Sequence, residues 1–173
     1  IINDQENDDI IKNSFKNKRT ILIVEDNIEL RTYVKKQLEK EYFIKEAENG
    51  KEGFEKAIKF VPDIIITDVM MPVMDGIELC KLIKNDIKTS HIPLLMITAK
   101  GMQIDKVKGI DSGADVYLNK PFNMGVLESY LKQLITSRQI LFDKYFTEIN
   151  DSDLLKNTTS LDKQFITNII AHI

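Results

Sequence analysis

The stretch that most constrains the fold is a run of β-branched residues at positions 64–67, which ends at the carboxylate of Asp68. Pro62 and Pro72 flank this run, and proline rarely continues a helix or a central strand. An apolar run without polar alternation favours a strand that is buried on both faces of a parallel sheet. Asp68 then lies at the carboxyl end of a central strand, where open α/β sheets bind their ligands.

A second apolar run, at positions 21–24, ends in the same way, at Glu25 and Asp26. Carboxylates grouped at adjoining strand ends repel one another, so the group is costly unless a cation offsets its charge. Three acidic oxygen donors suit a hard cation such as Mg²⁺, which keeps several of its water ligands. The sequence therefore predicts a magnesium site formed by Glu25, Asp26 and Asp68.

Strand and helix patterns alternate along the chain from Thr20 onward. Five consecutive strand–helix units imply parallel strands, right-handed crossovers and helices on both faces. The predicted fold class is α/β, a doubly wound (βα)5 parallel sheet with a helical C-terminal extension. In the strand order 2-1-3-4-5 the switch point lies between strands one and three, so Asp26 and Asp68 would face each other there. The predicted strands are 21–24, 43–47, 64–67, 94–97 and 116–119, and the helices begin after Asn27, Asn49-Gly50 and Asp75-Gly76 and near Met102 and Asn123.

The sequence divides into three predicted segments. Residues 1–19 are rich in Asn, Asp and Lys, and we interpret them as a linker. Residues 20–137 form the predicted α/β domain. Residues 138–173 are interpreted as a helical linker, which either packs locally or leads to a missing output domain. Because the chain starts without methionine and stops within an apolar-periodic segment, we expect a fragment of a longer polypeptide.

The composition argues against several classes of function. A net charge of -3 is not that of a broadly basic surface, so no direct nucleic-acid contact is expected from this segment. Cys80 is the only cysteine, which excludes a disulfide framework and a cysteine-based zinc site and favours a reducing, cytoplasmic location. No apolar run approaches the roughly 20 residues of a membrane span and no signal peptide is visible, so no membrane contact is expected.

Two further polar residues end predicted strands at the same edge of the sheet, Thr98 on strand four and Lys120 on strand five. Phosphoryl transfer develops negative charge on the oxygens of the moving group, and a metal, a lysine and a hydroxyl stabilise that charge. A carboxylate can serve as the nucleophile and form an acyl phosphate. These residues support the hypothesis that Asp68 accepts a phosphoryl group whose oxygens Thr98 and Lys120 bind.

Four motifs occur in order along the chain: 21–27 (ILIVEDN), 67–76 (TDVMMPVMDG), 97–100 (ITAK) and 113–122 (GADVYLNKPF). Through them, residues 20–137 resemble the flavodoxin-like receiver domain of response regulators in two-component signalling. The resemblance implies that a histidine kinase phosphorylates Asp68 from a phosphohistidine. It implies that Mg²⁺ is held by Glu25, Asp26, Asp68 and the backbone carbonyl of Met70. A receiver of this kind is not an enzyme beyond its own phosphorylation and dephosphorylation.

The resemblance also implies a conformational switch. Thr98 would turn toward the phosphoryl group, Tyr117 would swing inward with it, and a cis peptide bond would join Lys120 to Pro121. The predicted fourth helix (102–112), strand five and helix five are the expected output face. This face, or the C-terminal helix, is the candidate contact for a homodimer.

Two kinds of parent protein remain open. A membrane-anchored hybrid sensor histidine kinase would carry the phosphodonor in the same polypeptide. Residues 161–165 (LDKQF) are similar to the connector before an AraC-type DNA-binding domain, which would make transcription the output. The alternative is a stand-alone regulator with an ordinary output domain.

Two other functions are weighed against a phosphoacceptor receiver. An aspartyl-nucleophile phosphatase of the haloacid-dehalogenase type requires a second aspartate two residues after the nucleophile, where this chain has Met70. Such an enzyme also usually needs a cap domain, for which the chain has little room. A degenerate receiver that serves only as a binding scaffold is disfavoured by the intact Asp26, Asp68 and Lys120.

Overall fold

The structure is a computed structural model that describes residues 18–99 and 113–151, with side-chain environments described as far as residue 141. Strands and helices alternate along the described chain. The elements are β1 (Thr20–Val24), α1 (Ile28–Leu38), β2 (Phe43–Ala47), α2 (Gly50–Phe60), β3 (Ile64–Asp68), α3 (Gly76–Asn85), β4 (Leu94–Ala99), β5 (Val116–Lys120) and α4 (Met124–Asp151).

The described strands form one parallel sheet in the order β2-β1-β3-β4-β5. This order confirms the predicted α/β class and the doubly wound, flavodoxin-like arrangement. β1 and β3 are neighbours, with Val24 opposite Thr67, so their carboxyl ends lie side by side. The next residues along the chain, Glu25 and Asp68, therefore meet at one edge of the sheet.

Helices cover both faces of this sheet. On one face, Ile65 belongs to a buried cluster with Ala57 of α2 and Leu79 of α3. Ile66 points to the opposite face, where it lines a small cavity together with Val34 of α1. Every residue of β3 is buried, which explains why this strand is an unbroken apolar run in the sequence.

Polar caps begin the first three helices where the turn residues predict. Asn27, Asn49 and Asp75 are the N-caps of α1, α2 and α3, and each side chain accepts a hydrogen bond from a backbone N–H of the first turn. The cap of α1 directly follows Glu25 and Asp26. The amino end of this helix, where its dipole is positive, therefore lies beside the acidic pair.

Three strands extend further than their sequence pattern predicts, to Asp68, Ala99 and Lys120. The parallel ladder continues there, because Asp68 lies opposite Ile97 and Thr98 lies opposite Asn119. A buried backbone keeps its hydrogen bonds whatever side chain it carries, so a polar residue alone does not end a central strand. Asp68 and Lys120 are thus the last residues of β3 and β5, Thr98 is the second-last residue of β4, and the acidic pair directly follows β1.

The C-terminal helix α4 corresponds to the predicted fifth helix and has 28 residues. This length confirms the prediction that the helix is longer than a helix that covers such a sheet needs to be. Residues 100–112, and with them Lys100 and the predicted fourth helix, lie outside the described residues. Gly113, the predicted end of that helix, has a φ of 82°, in the left-handed region that glycine tolerates.

The chain divides into two compact units, residues 1–130 and 131–173. The described part of the first unit contains the sheet, and that of the second is the remainder of α4. Most of the predicted linkers, 1–19 and 138–173, lies outside the described residues, so those boundaries stay predictions. None of the helices in the described chain has the length and hydropathy that a membrane span requires.

Candidate functional site

Three carboxylates meet at the carboxyl edge of β1 and β3. Glu25 and Asp26 follow β1, and Asp68 is the last residue of β3. One oxygen of each carboxylate lies within 4.8 Å of the others. Glu25 and Asp68 are buried, with 4% and 9% exposure, whereas Asp26 is exposed. The structure thus brings together the three acids that the sequence predicts as cation ligands, with one of them open to solvent.

The ammonium of Lys120 bridges two of these carboxylates. Its Nζ donates to Oδ2 of Asp68 over 2.7 Å and to Oε2 of Glu25 over 3.0 Å. Because β4 lies between β3 and β5, this long side chain reaches past the end of β4. The peptide bond between Lys120 and Pro121 is cis, as predicted. One ammonium against three carboxylates leaves the cluster with an excess of negative charge.

Burial and charge act in opposite directions on the ionisable groups of the site. Burial raises the pKa of the Glu25 carboxyl above its ordinary value; the hydrogen bond from Lys120 opposes this rise, and the charge of Asp68 adds to it. Burial lowers the pKa of Lys120, but its hydrogen bonds to Asp68 and Glu25 outweigh burial and leave that pKa raised. Lys120 is therefore charged at neutral pH, while ionising Glu25 carries a cost.

The backbone that follows Asp68 folds tightly against the sheet. Val69 donates its N–H to the carbonyl of Ile97 over 2.9 Å, and Gly76 donates to the carbonyl of Val69 over 2.9 Å. A Cβ atom at Gly76 would lie 2.0 Å from the carbonyl oxygen of Asp68, so a side chain does not fit there. The N–H of Met70 lies 3.4 Å from Oδ1 of Asp68, beyond the usual hydrogen-bond distance. The position of Asp68 thus depends on close packing by Gly76.

Thr98 and Tyr117, the predicted switch residues, lie on adjacent strands and on the same face of the sheet. Thr98 is two residues from Met96, which is opposite Tyr117 in β5. Thr98 is 3% exposed, and its Oγ1 has no hydrogen-bond partner among the residues that the structure describes. Tyr117 is half-buried and packs against the core cluster that includes Met96. A buried hydroxyl without a partner is unusual and marks a place where a ligand acceptor would be favourable.

Two neighbours of the acidic pair were not predicted from the sequence. Asn27, which was predicted only to begin a helix, donates its backbone N–H to Oε1 of Glu25 over 3.3 Å. Arg31 lies four residues later in α1, and its guanidinium donates to the backbone carbonyl of Glu25. Side chains in a helix lean toward its N-terminus, so a long cation one turn after the acidic pair is the signal that could have indicated Arg31.

The fold and this cluster agree with the family comparison. The model of the response regulator receiver domain matches residues 21–132, which is more than half of the chain. The chain therefore belongs to the response regulator receiver domain family of two-component systems, which confirms the resemblance seen in its motifs.

Several of the proteins to which the chain is similar are histidine kinases or receiver domains of histidine kinases. Histidine kinase P4 of Formosa agariphila is 42% identical over 151 residues, which cover 87% of this chain but only 11% of that protein. The receiver domain of a signal transduction histidine kinase from Syntrophus aciditrophicus has a TM-score of 0.65 at 35% identity, covering 69% of this chain and 91% of that one. The receiver domain of the sensor histidine kinase PA1611 from Pseudomonas aeruginosa, solved with a magnesium ion in its active-site cleft, has a TM-score of 0.64 at 28% identity, covering 69% and 98%.

Proposed function

We propose that Asp68 accepts a phosphoryl group from a phosphohistidine of a histidine kinase, in a reaction that requires Mg²⁺. The observation that carries this proposal is the placement of Lys120, whose Nζ is 2.7 Å from Asp68 and 3.0 Å from Glu25, beside the three clustered carboxylates. An acceptor carboxylate is thus held next to a positive charge and a set of oxygen donors. These are the groups that a phosphoryl transfer requires.

The donor set suits Mg²⁺. Glu25, Asp26 and Asp68 offer hard oxygen ligands within 4.8 Å of one another, and Met70 would add its backbone carbonyl. Since burial already raises the pKa of Glu25, a cation would relieve a cost that the fold carries. The magnesium ion in the cleft of the PA1611 receiver domain supports the same assignment. When bound, the ion supplies charge stabilisation for the phosphoryl oxygens.

Asp68, Lys120 and Thr98 have different roles in the proposed transfer. A carboxylate oxygen of Asp68 forms a bond to phosphorus while the P–N bond of the phosphohistidine breaks and its electron pair returns to the imidazole. Lys120 would exchange its hydrogen bond to Asp68 for one to a phosphoryl oxygen. The buried hydroxyl of Thr98 would gain an acceptor that it lacks among the described residues.

We extend the proposal to the output of the domain. Movement of Thr98 toward the phosphoryl group would change the packing of Tyr117, which shares its face of the sheet. The predicted fourth helix, β5 and α4 would then carry the signal, and this face or α4 would form the contact of a homodimer. Beryllofluoride with Mg²⁺ should alter hydrogen exchange in β5 and α4, and unchanged exchange there would contradict this output face.

We also propose that the phosphodonor lies in the same polypeptide. The similarity to histidine kinase P4 covers 87% of the chain and so extends beyond the receiver match at 21–132. Residues 1–19 and 138–173 would then be linkers that join the receiver, at 20–137, to the kinase and to an output domain that regulates transcription. In such a hybrid kinase this segment would be cytoplasmic and would contact neither nucleic acid nor the membrane that anchors the parent.

The test is phosphorylation by acetyl phosphate, a small acyl phosphate that replaces the kinase. The chain is incubated with acetyl phosphate and Mg²⁺, and its intact mass is measured over time. We expect the mass to increase by one phosphoryl group, which hydrolyses on standing. No increase is expected when EDTA is present from the start, because the transfer requires Mg²⁺. Asp68→Asn, which preserves the size of the side chain, should abolish the gain, whereas Asp75→Asn at the nearby cap of α3 should not.

The same experiment separates the alternatives. Catalytic release of phosphate from several phosphomonoesters would instead indicate an aspartyl-nucleophile phosphatase. No mass gain with either acetyl phosphate or a histidine kinase donor would indicate a degenerate receiver that acts only as a scaffold. A persistent gain in Asp68→Asn would show that another residue is the acceptor.

A further inference from the structure

Both backbone groups of Glu25 are held by hydrogen bonds from separate parts of the chain. Its N–H donates to the carbonyl of Ala47 at the end of β2 over 3.1 Å. Its carbonyl accepts a hydrogen bond from the guanidinium of Arg31 in α1. Since Asp26 follows directly, the peptide group that links the two acids is fixed on the side where Arg31 binds.

The surroundings of Arg31 make this contact a strong one. Its side chain is 12% exposed and lines a small cavity together with Glu25 and Asp68, whose other walls are aliphatic. Water competes little for hydrogen bonds in such a place, so a charge-assisted hydrogen bond there is stronger than at the surface. The Nε of Arg31 lies 3.6 Å from Oε1 of Glu46 in β2, which balances its charge.

Arg31 therefore joins three elements at the edge of the site. The guanidinium presents several donors in a planar fork, so it can reach the Glu25 carbonyl and Glu46 at the same time, which a lysine ammonium does less well. We propose that Arg31 is a positioning residue for the cation site, because it fixes the backbone of Glu25 and thereby the directions of the Glu25 and Asp26 carboxylates. This inference rests on the proposed binding of Mg²⁺ at those carboxylates.

An electrostatic role and a positioning role of Arg31 predict opposite changes in Mg²⁺ affinity when Arg31 is lost. Removing a positive charge near an anionic site should strengthen the binding of a cation. Loss of a group that orients the ligands should weaken it, and outer partners of metal ligands commonly affect affinity by about 10-fold or more. The sign of the change in Mg²⁺ affinity therefore separates a positioning role from a purely electrostatic one.

Lys35 offers a matched control on the same helix. Its Nζ donates to Oε2 of Glu46, the carboxylate that also faces Arg31. None of the contacts described for Lys35 reaches Glu25. Lys35→Met also removes one positive charge that faces Glu46, and it does so without the contact to the Glu25 carbonyl. Because Lys35 is 39% exposed and Arg31 only 12%, its electrostatic effect on the cation site should have the same sign as that of Arg31→Met but a smaller size.

The experiment measures Mg²⁺ binding by calorimetry on the chain, without a phosphodonor. Arg31→Met should raise the dissociation constant about 10-fold, whereas Lys35→Met should leave it unchanged or slightly lower. Arg31→Lys keeps the charge but not the fork, so it should fall between the unsubstituted chain and Arg31→Met. In EDTA, exchange of the Asn27 amide, which donates to Glu25, should be faster in Arg31→Met and unchanged in Lys35→Met.

Equal or tighter Mg²⁺ binding by Arg31→Met, beside normal binding by the unsubstituted chain, would overturn the role of Arg31 and leave the proposed function intact. No Mg²⁺ binding by the unsubstituted chain would overturn both. If Arg31→Met does not fold, Arg31→Lys decides the matter, since unchanged affinity in a variant that keeps the charge but loses the fork would also refute the proposal.

Discussion

At the amino edge of the sheet, two carboxylates, those of Asp63 and Asp115, are each matched by a cation and by a backbone N–H. Asp63 accepts from Arg19 over 3.0 Å and from the backbone of Thr20 over 2.8 Å. Asp115 accepts from Lys84 over 2.8 Å and from the backbone of Leu94 over 2.8 Å. These pairs tie the beginnings of neighbouring strands together with their charges balanced.

At the carboxyl edge, acidic side chains outnumber the lysine that contacts them. Glu25 and Asp68 share the ammonium of Lys120, and Asp26 adds a third carboxylate, so the described cluster keeps an excess of negative charge. Two of its acids are buried, where unbalanced charge is most costly. The comparison teaches that charges are paired at one edge, whereas the other edge keeps an excess of buried negative charge, which the proposed Mg²⁺ would offset.

Gly76→Ala should have the largest effect, because it acts on the position of Asp68, the proposed acceptor. The added Cβ would lie 2.0 Å from the carbonyl oxygen of Asp68, which cannot move without breaking the end of β3. We expect the free energy of unfolding to fall by about 3 kcal/mol in urea titrations. Gly125→Ala, where a Cβ would meet only the side chain of Asn123 at 3.1 Å, should stay close to the unsubstituted chain. Equal stability of the two variants would show that the edge tolerates displacement.

Lys120→Met tests whether the Lys120 ammonium stabilises the carboxylates of the carboxyl edge when no metal is bound. In EDTA the substitution leaves two buried carboxylates without their cation, and we expect the free energy of unfolding to fall by about 2 kcal/mol. The loss is smaller than for a fully buried ion pair because the Lys120 side chain is partly exposed. Mg²⁺ should restore more stability to this variant than to the unsubstituted chain, and should bind it more tightly because a competing charge is gone. Weaker Mg²⁺ binding by Lys120→Met would contradict this description of the site.

Lys84→Met makes the corresponding change at the amino edge. Lys84 donates to Asp115 and to the carbonyl of Ile92, and its side chain is 22% exposed. We expect a loss of about 1.5 kcal/mol of unfolding free energy from these charge-assisted bonds. Mg²⁺ affinity should not change, because the ammonium is remote from the acidic cluster. Lys81→Met, on the exposed side of the same helix, should change neither quantity, and a shift in Mg²⁺ affinity in Lys84→Met would show that the two edges are coupled.

Sequence alone was sufficient for the sheet and for the identities of the clustered acids. Unbroken β-branched runs such as 64–67 have few alternatives to a central strand, and alternation with helices dictates parallel pairing. Because parallel strands end at one edge, the residues that close them were predicted to meet, and Glu25, Asp26 and Asp68 do so.

Sequence was insufficient to assign the hydrogen-bond partners of long side chains. The bond from Lys120 to Glu25 spans 95 positions, and the bond from Arg31 ends on a carbonyl that every residue possesses. The lean of helical side chains indicates the direction in which Arg31 reaches, but residue types do not specify which carbonyl accepts its hydrogen bond. Asp68 and Lys120 do end their strands, but the predicted bounds 64–67 and 116–119 each stopped one residue short, since the backbone ladder continues regardless of side-chain polarity.

Glu25→Gln should have the smallest effect and the one that depends most on pH. Burial raises the pKa of Glu25 in the folded protein. A raised folded pKa means that the stability from the protonated form is fully present below the ordinary value of 4.5 and is lost as pH rises through the folded pKa. The neutral amide avoids that loss, so in EDTA at pH 7 the variant should be more stable by about 1 kcal/mol or less.

The difference between Glu25→Gln and the unsubstituted chain should shrink as the pH is lowered toward 4.5, in thermal unfolding measured across pH. Saturating Mg²⁺ should reverse its sign at pH 7, because the ion stabilises the ionised carboxylate and not the amide. Glu29→Gln removes an exposed acid from the first turn of α1 and should slightly destabilise the helix instead. A gain of equal size in both variants would mean that net charge, rather than the burial of Glu25 at the carboxyl edge, sets the cost of the metal-free site.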